Sequence, residues 1–161
     1  MTIIWNCYII VIITSKNWLH ILKMDSDQIT QQLKQKGVRP SYQRIRVLQY
    51  LHDRAGHPNA EEIYEALLPE IPTLSRTTVY NTLHVFASFG LVNCLSIDGV
   101  DTRYDGMLEK HGHFQCHQCG MIYNFKTDPD RIETPGLEKF KIENKNIIFT
   151  GICANCINKY K

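Results

Sequence analysis

The chain lacks an apolar run long enough to cross a bilayer. Its longest, Ile3 to Ile13, is eleven residues broken by Asn6, against the ~20 a spanning helix needs. It also lacks a strong charge of either sign: the formal net charge is +2, so any nucleic-acid partner has to be argued from local features rather than global attraction. No Lys or Arg precedes the first apolar run and no small-residue cleavage site follows it, so a secretory signal is a poor fit. No acid occurs between Ile71 and Ile97, and no histidine after His117. What is present is an ordinary globular composition, 43% apolar and 21% charged over 161 residues, enough for one domain or two small ones.

The densest chemistry lies in HGHFQCHQCG, residues 111–120. Cys116 and Cys119 form a C-x-x-C followed at once by Gly120, and Cys153 and Cys156 form a second. Two such pairs are the usual composition of a closed tetrahedral zinc site, since soft thiolates suit Zn(II). Paired cysteines with histidines nearby favour metal binding in a reducing, cytoplasmic setting over a disulfide framework. Cys7 and Cys94 are left over and read as inert apolar filler. His117, between the knuckle cysteines, is expected to face solvent. His111 and His113, two apart, share a face on an extended segment. With Asp105, and His57 at the start of a helix, they make a sulfur-free donor set suited to Fe(II), Mn(II) or Zn(II).

Residues 1–23 read as an extension that is disordered or not translated, the alternative being a membrane-associating tail. Residues 24–104 read as a winged helix-turn-helix domain. Helices are expected from Asp25 to Gly37 (Ile29, Leu33), after Pro40 and Ser41 (Ile45, Leu48, Leu51), after Asn59 with Glu62 as a capping box (Ile63, Tyr64, Leu67), and from Ser75 to Gly90 (Val79, Leu83, Phe86). Strand LVNCLSI, the Asp98-Gly99 turn and VDTRYD then complete a hairpin. The last helix exposes Arg76, Thr77, Tyr80, Asn81 and His84, equipment for the major groove. Lys36, Arg39, Arg44 and Arg46, with Ser41 and Gln43 beside them, form an acid-free basic cluster suited to phosphates. Residues 105–161 read as a small α/β domain with three strands (HFQC, MIYNF, NIIFTGIC) and a helix-like amphipathic piece within 131–145 carrying Leu137 and Phe140. The fold class is α+β.

The segments HPNAEEIYEAL, SRTTVYNTLHVFASFGLV, TRYDGMLEKHGHFQCHQCG and GICANC, in that order, resemble the ferric uptake regulator family of bacterial metalloregulators over roughly residues 25–160. VYNTLHVFASFGLV followed by RYD is most similar to its peroxide-responsive branch. The resemblance implies a homodimeric, DNA-binding repressor acting on double-stranded operator DNA, with structural Zn(II) on Cys116, Cys119, Cys153 and Cys156 and a C-terminal dimerisation domain. It implies a regulatory Fe(II) or Mn(II) on His57, Asp105, His111 and His113. It also implies peroxide sensing through metal-catalysed oxidation of His57 or His111. The branch's fifth ligand is an aspartate where this chain has Asn124, which removes one negative charge. The alternative that follows is an Fe(II)- or Mn(II)-responsive repressor without peroxide chemistry. The branch of plain iron sensors uses a histidine beyond His117, which is absent here, and the zinc-sensing branch a regulatory cysteine, for which Cys94 is the one candidate. Two readings from other classes stay open: a metal-dependent hydrolase or oxygenase, given open positions on a His/carboxylate site, and a zinc-ribbon interaction module without DNA.

Overall fold

The computed structural model describes residues 24–54, 56–97, 101–143 and 145–159. The expectations for residues 1–23, for Cys7 and for the Asp98-Gly99 turn lie outside these. Four helices come first: α1 (Ser26–Gln35), α2 (Tyr42–Asp53), α3 (Ala60–Leu67) and α4 (Arg76–Ser88). Each starts where a polar side chain can satisfy orphan amides of the first turn. Asp25 and Asn59 form full capping boxes with Gln28 and Glu62, while Ser41 and Ser75 accept from the amides of Arg44 and Thr78. α1 and α4 end on left-handed glycines, Gly37 (φ 76°) and Gly90 (φ 62°). After α4, Gly90 N–H donates to Ala87 O and Leu91 N–H to Phe86 O, the paired bonds that only a residue tolerating positive φ lets the chain make.

Ile29, Leu33, Val47, Leu48, Ile63, Val79, Leu83 and Phe86 are fully enclosed, and Val92 and Tyr104 from the following hairpin close the same core. On α2 the buried stripe is Val47, Leu48 and Leu51, with Ile45 only half-buried. The hairpin pairs β1 (Asn93–Ile97) with β2 (Asp101–Asp105) antiparallel, setting Asn93 opposite Asp105. Helices followed by this hairpin form the winged helix-turn-helix expected from the sequence.

The C-terminal part is a three-stranded sheet of order β4-β3-β5, from β3 (Gly112–Cys116), β4 (Ile122–Phe125) and β5 (Ile148–Gly151). β3 runs antiparallel to β4 and parallel to β5. A single 3-10 turn (Pro129–Arg131) precedes β5, and a short helix α5 (Ala154–Lys159) follows it. Among the described residues, the amphipathic helix expected within 131–145 does not form. Pro135-Gly136 interrupts it, Gly136 taking φ 91°, and isolated turns replace it, with Leu137 and Phe140 exposed. The apolar content here is small: Leu95 and Ile122 are buried against Ile148, and Phe114 packs on the cysteines. Three short strands and a handful of apolar contacts make a weak core on their own. Cys94 is exposed on β1, which corrects its reading as buried filler.

Candidate metal centres and nucleic-acid face

The sheet register builds the first centre. Cys116 closes β3, the turn through Gly120 (φ 72°) brings Cys119 back beside it, and β5 running parallel to β3 delivers Cys153 and Cys156. The four sulfurs lie within 4.8 Å of one another, with Cys119 Sγ and Cys153 Sγ 3.8 Å apart. A tetrahedral site with Zn–S of ~2.3 Å requires sulfur–sulfur edges of about 3.8 Å. Burial pushes the Cys116 thiol up, but the amides of Cys153, Cys119 and Gln118 outweigh it and bring it down to about 6; the Cys153 amide is 3.3 Å from the sulfur. The Tyr123 hydroxyl donates to Cys153, drawing that thiol down and its own phenol up to about 12. Burial and the three neighbouring sulfurs push Cys156 up to about 12. Backbone donors thus favour thiolate at one end of the cluster, while crowding opposes four charges in one place unless a cation neutralises them. The donor set fits zinc. Tyr123 had no signal in the sequence as a partner to sulfur. His117 is exposed, as expected.

The second centre joins distant segments. His57 lies just before α3, Asp105 ends β2, and His111 and His113 flank and enter β3; one donor atom from each falls within 4.8 Å of the others. All four residues are buried. The backbone of the His57 segment is pinned to β2, since Tyr104 N–H donates to Pro58 O at 3.0 Å and Arg103 Nη1 to His57 O at 3.0 Å. The register sets Asn124 directly opposite His113, so both side chains leave the same face of the sheet.

The hydrogen bonds around this centre point its lone pairs inward. Asp105 Oδ1 accepts from Met107 N–H at 2.8 Å, which leaves Oδ2 to face the histidines. His111 Nδ1 sits 2.6 Å from Glu109 O; a proton there leaves Nε2 as an acceptor 3.0 Å from Asp105 Oδ2. Two acceptors at that distance need a cation or a proton between them. Both ring nitrogens of His57 and of His113, with His111 Nε2, Asp105 Oδ2 and Asn124 Oδ1, are buried without a hydrogen-bond partner. Orphaned polar atoms are rare in folded chains, and these converge on one space. Burial pushes His57 down to about 4, so near neutral pH its ring is an uncharged donor. Burial alone would push the Asp105 carboxyl up, but His111, His113 and the Met107 amide hold it well below the usual carboxylate range. Asp105 in turn raises His111. Imidazoles with one carboxylate and an amide carbonyl suit a divalent first-row cation.

The nucleic-acid candidates are brought together only in part. Thr77, Tyr80, Asn81 and His84 are exposed on α4, and a cleft of about 470 Å³ between α2 and α4 is lined by Arg39, Ser41, Gln43, Arg44 and Asn81. The basic residues are less free than their sequence context implies. Arg46 is bidentate to Glu70, which also accepts from Tyr42 at 2.7 Å. Arg44 Nη1 donates to Arg39 O at 2.8 Å. Arg76 is bound to Glu61. The acid-free clusters in the sequence are therefore not acid-free in space, because α3 and its following loop supply carboxylates from 15 and 24 residues away.

Residues 35–156 match the model of the ferric uptake regulator family. The peroxide-responsive repressor PerR of Staphylococcus aureus is 37% identical over 131 residues, covering 79% of this chain and 88% of that protein. Among solved structures, the Vibrio cholerae ferric uptake regulator superposes with a TM-score of 0.63 at 25% identity, over 77% of this chain and 98% of that one. The Helicobacter pylori ferric uptake regulator does so with 0.63 at 21% identity, over 84% and 95%.

Proposed function

The chain belongs to the ferric uptake regulator family, a metal-dependent DNA-binding repressor and not an enzyme, and from that premise we propose that it senses hydrogen peroxide at the His57–Asp105–His111–His113 centre. The observation that carries the reading is the convergence of unpaired buried lone pairs from the helical part and the sheet part on one space. His57 comes from the approach to α3, whereas His113 comes from β3 and His111 from the residue just before it. Their shared ligation holds the α4 face in one orientation relative to the sheet, and loss of a donor releases it. An Fe(II) ion bound there would supply one electron for cleavage of the peroxide O–O bond, which Mn(II) would not, leaving the remaining oxidising equivalent for a neighbouring ring. The ring of His57 or of His111 is the group placed to be oxidised. An oxidised imidazole is a poor donor, so the clasp between the two parts weakens and operator affinity falls.

Asn124 favours a second reading. A neutral carbonyl opposite His113 leaves Asp105 as the one carboxylate of the set, and the chain then acts as an Fe(II)- or Mn(II)-responsive repressor without peroxide chemistry. Cys116, Cys119, Cys153 and Cys156 hold structural Zn(II). Residues 24–104 contact double-stranded operator DNA and residues 105–161 dimerise. The second assignment is supported by β5, whose outer edge has no strand partner among the described residues, and by exposed Phe149, Ile152 and Phe140. No helix among the described residues is long and apolar enough to cross a membrane.

The test is anaerobic binding to duplex DNA from the chain's own upstream region, loaded with Fe(II) or Mn(II), before and after brief peroxide. Loss of binding with Fe(II) alone, with one oxygen added on the peptide of His57 or His111, is the expected result. Metal-dependent binding indifferent to peroxide selects the second reading, and Asn124→Asp should then restore sensitivity and tighten Mn(II) binding.

A further inference from the structure

Arg76 is the one Lys or Arg between Ile71 and Ile97, hence the one permanent cation that α4 carries. Its side chain turns back onto α3. Nε donates to both Glu61 oxygens at 2.8 and 2.9 Å, Nη2 lies 2.6 Å from Glu61 Oε1, and the guanidinium carbon sits 4.4 Å from the centre of the Tyr64 ring. Planar, forked guanidinium geometry suits such a bidentate and stacked arrangement. A cation in the first turn of a helix also opposes the helix dipole, which the Glu61 carboxylate offsets. Thr77, Tyr80, Asn81 and His84, the exposed groups of the same helix, carry no permanent charge.

We propose that Glu61 is a specificity-determining residue for DNA: it withdraws Arg76 from the phosphates and leaves the α4 face to read base edges with uncharged groups. The proposal rests on the DNA-binding reading above. A free arginine beside the groove adds affinity for every sequence alike, because phosphates are the same everywhere. Paired with Glu61, Arg76 contributes no net charge to that face. Arg46 is neutralised by Glu70 in the same way. Of the basic cluster, Lys36, Arg39 and Arg44 are left for phosphate, at the end of α1 and the start of α2, to the side of the reading helix. Withholding sequence-independent affinity at α4 raises the ratio of specific to non-specific binding, the quantity that decides occupancy among competing sites.

The experiment measures the salt dependence of affinity of the Mn(II)-loaded full chain for two duplexes, the chain's own upstream region and a shuffled copy. Arg76→Ala alone leaves the Glu61 carboxylate unpaired, so it should weaken binding to both duplexes alike, and the wild-type slope of log K against log salt is judged with both charges removed. Glu61→Gln, isosteric with the native side chain, should steepen it by about 0.9 for each phosphate gained, equally on both duplexes, so that discrimination between them falls. The double variant should return to the wild-type slope. A double variant with a slope shallower than wild type, or a gain in Glu61→Gln that survives removal of Arg76, overturns the proposal. A wild-type protein that binds both duplexes equally contradicts the repressor reading, while the slopes on the shuffled duplex still decide the role of Glu61. Failure to bind either duplex overturns both.

Discussion

Single atoms decide what the regulatory centre can hold. His57 is positioned through its backbone, by the Arg103 guanidinium on its carbonyl and by the strand bond from Tyr104 to Pro58. His111 and Asp105 are oriented by main-chain groups of Glu109 and Met107. Such outer contacts fix ring orientation and tautomer, and losing one typically costs ~10–100-fold in metal affinity. Arg103→Ala should therefore weaken Mn(II) binding by about that factor without touching a donor atom, as read by competition with a metallochromic chelator. Unchanged affinity would show that the strand bond from Tyr104 to Pro58 suffices to hold His57. Arg103 also lies 3.3 Å from Glu62, a pair too exposed to add much stability, so its removal should barely shift the melting temperature.

At the scale of elements, Gly112 shows how closely β3 and β4 approach. A Cβ there would overlap the Phe125 ring, which is stacked on Phe149 at 5.2 Å and 8°. The glycine sits between His111 and His113, so a displaced ring pushes on the strand that carries both. Gly112→Ala should cost about 1–3 kcal/mol, the usual cost of overpacking a closed site, and weaken divalent metal binding in parallel. Thermal melts with and without Mn(II) check this; a normal melt with normal metal binding would mean that Phe125 and Phe149 move aside freely. α4 is the contrasting case. Its Ser75 cap, its Gly90 terminus and its Val79–Leu83–Phe86 stripe are all local in sequence and all present. The apolar spacing within 131–145 does not make a helix, because Pro135-Gly136 breaks it and the described residues there bury no apolar surface to overcome the break.

Across the whole molecule, stability is divided unevenly. The main core draws only on residues up to Tyr104, whereas the sheet beyond it has three strands and little buried apolar area. Structural zinc supplies on the order of 10 kcal/mol of folding free energy in small metal-dependent modules, and here it would replace the missing core. Removing zinc with a strong chelator, or substituting Cys153→Ser, should abolish dimers and sheet structure while most helical circular dichroism survives. Cooperative loss of the whole helical signal would mean instead that the hairpin and sheet are needed for α1–α4 to fold.

The sequence by itself determined the α+β class, the caps and stops of the four main helices and the strands flanking the first knuckle. Those depend on neighbours within a few residues, whose chemistry is visible in order. It also named the four cysteines, whose paired spacing is distinctive, whereas the His–Asp set came forward through the resemblance, because two histidines two apart are common on surfaces. Only the tertiary structure decided that His57 reaches β3, that Asn124 stands opposite His113, that Tyr123 donates to Cys153, and that Glu61 and Glu70 neutralise Arg76 and Arg46. These contacts join residues 11 to 56 positions apart, and no local propensity encodes them. They follow from how α3 packs on α4 and from the register of β3, which the burial of the apolar faces sets as a whole.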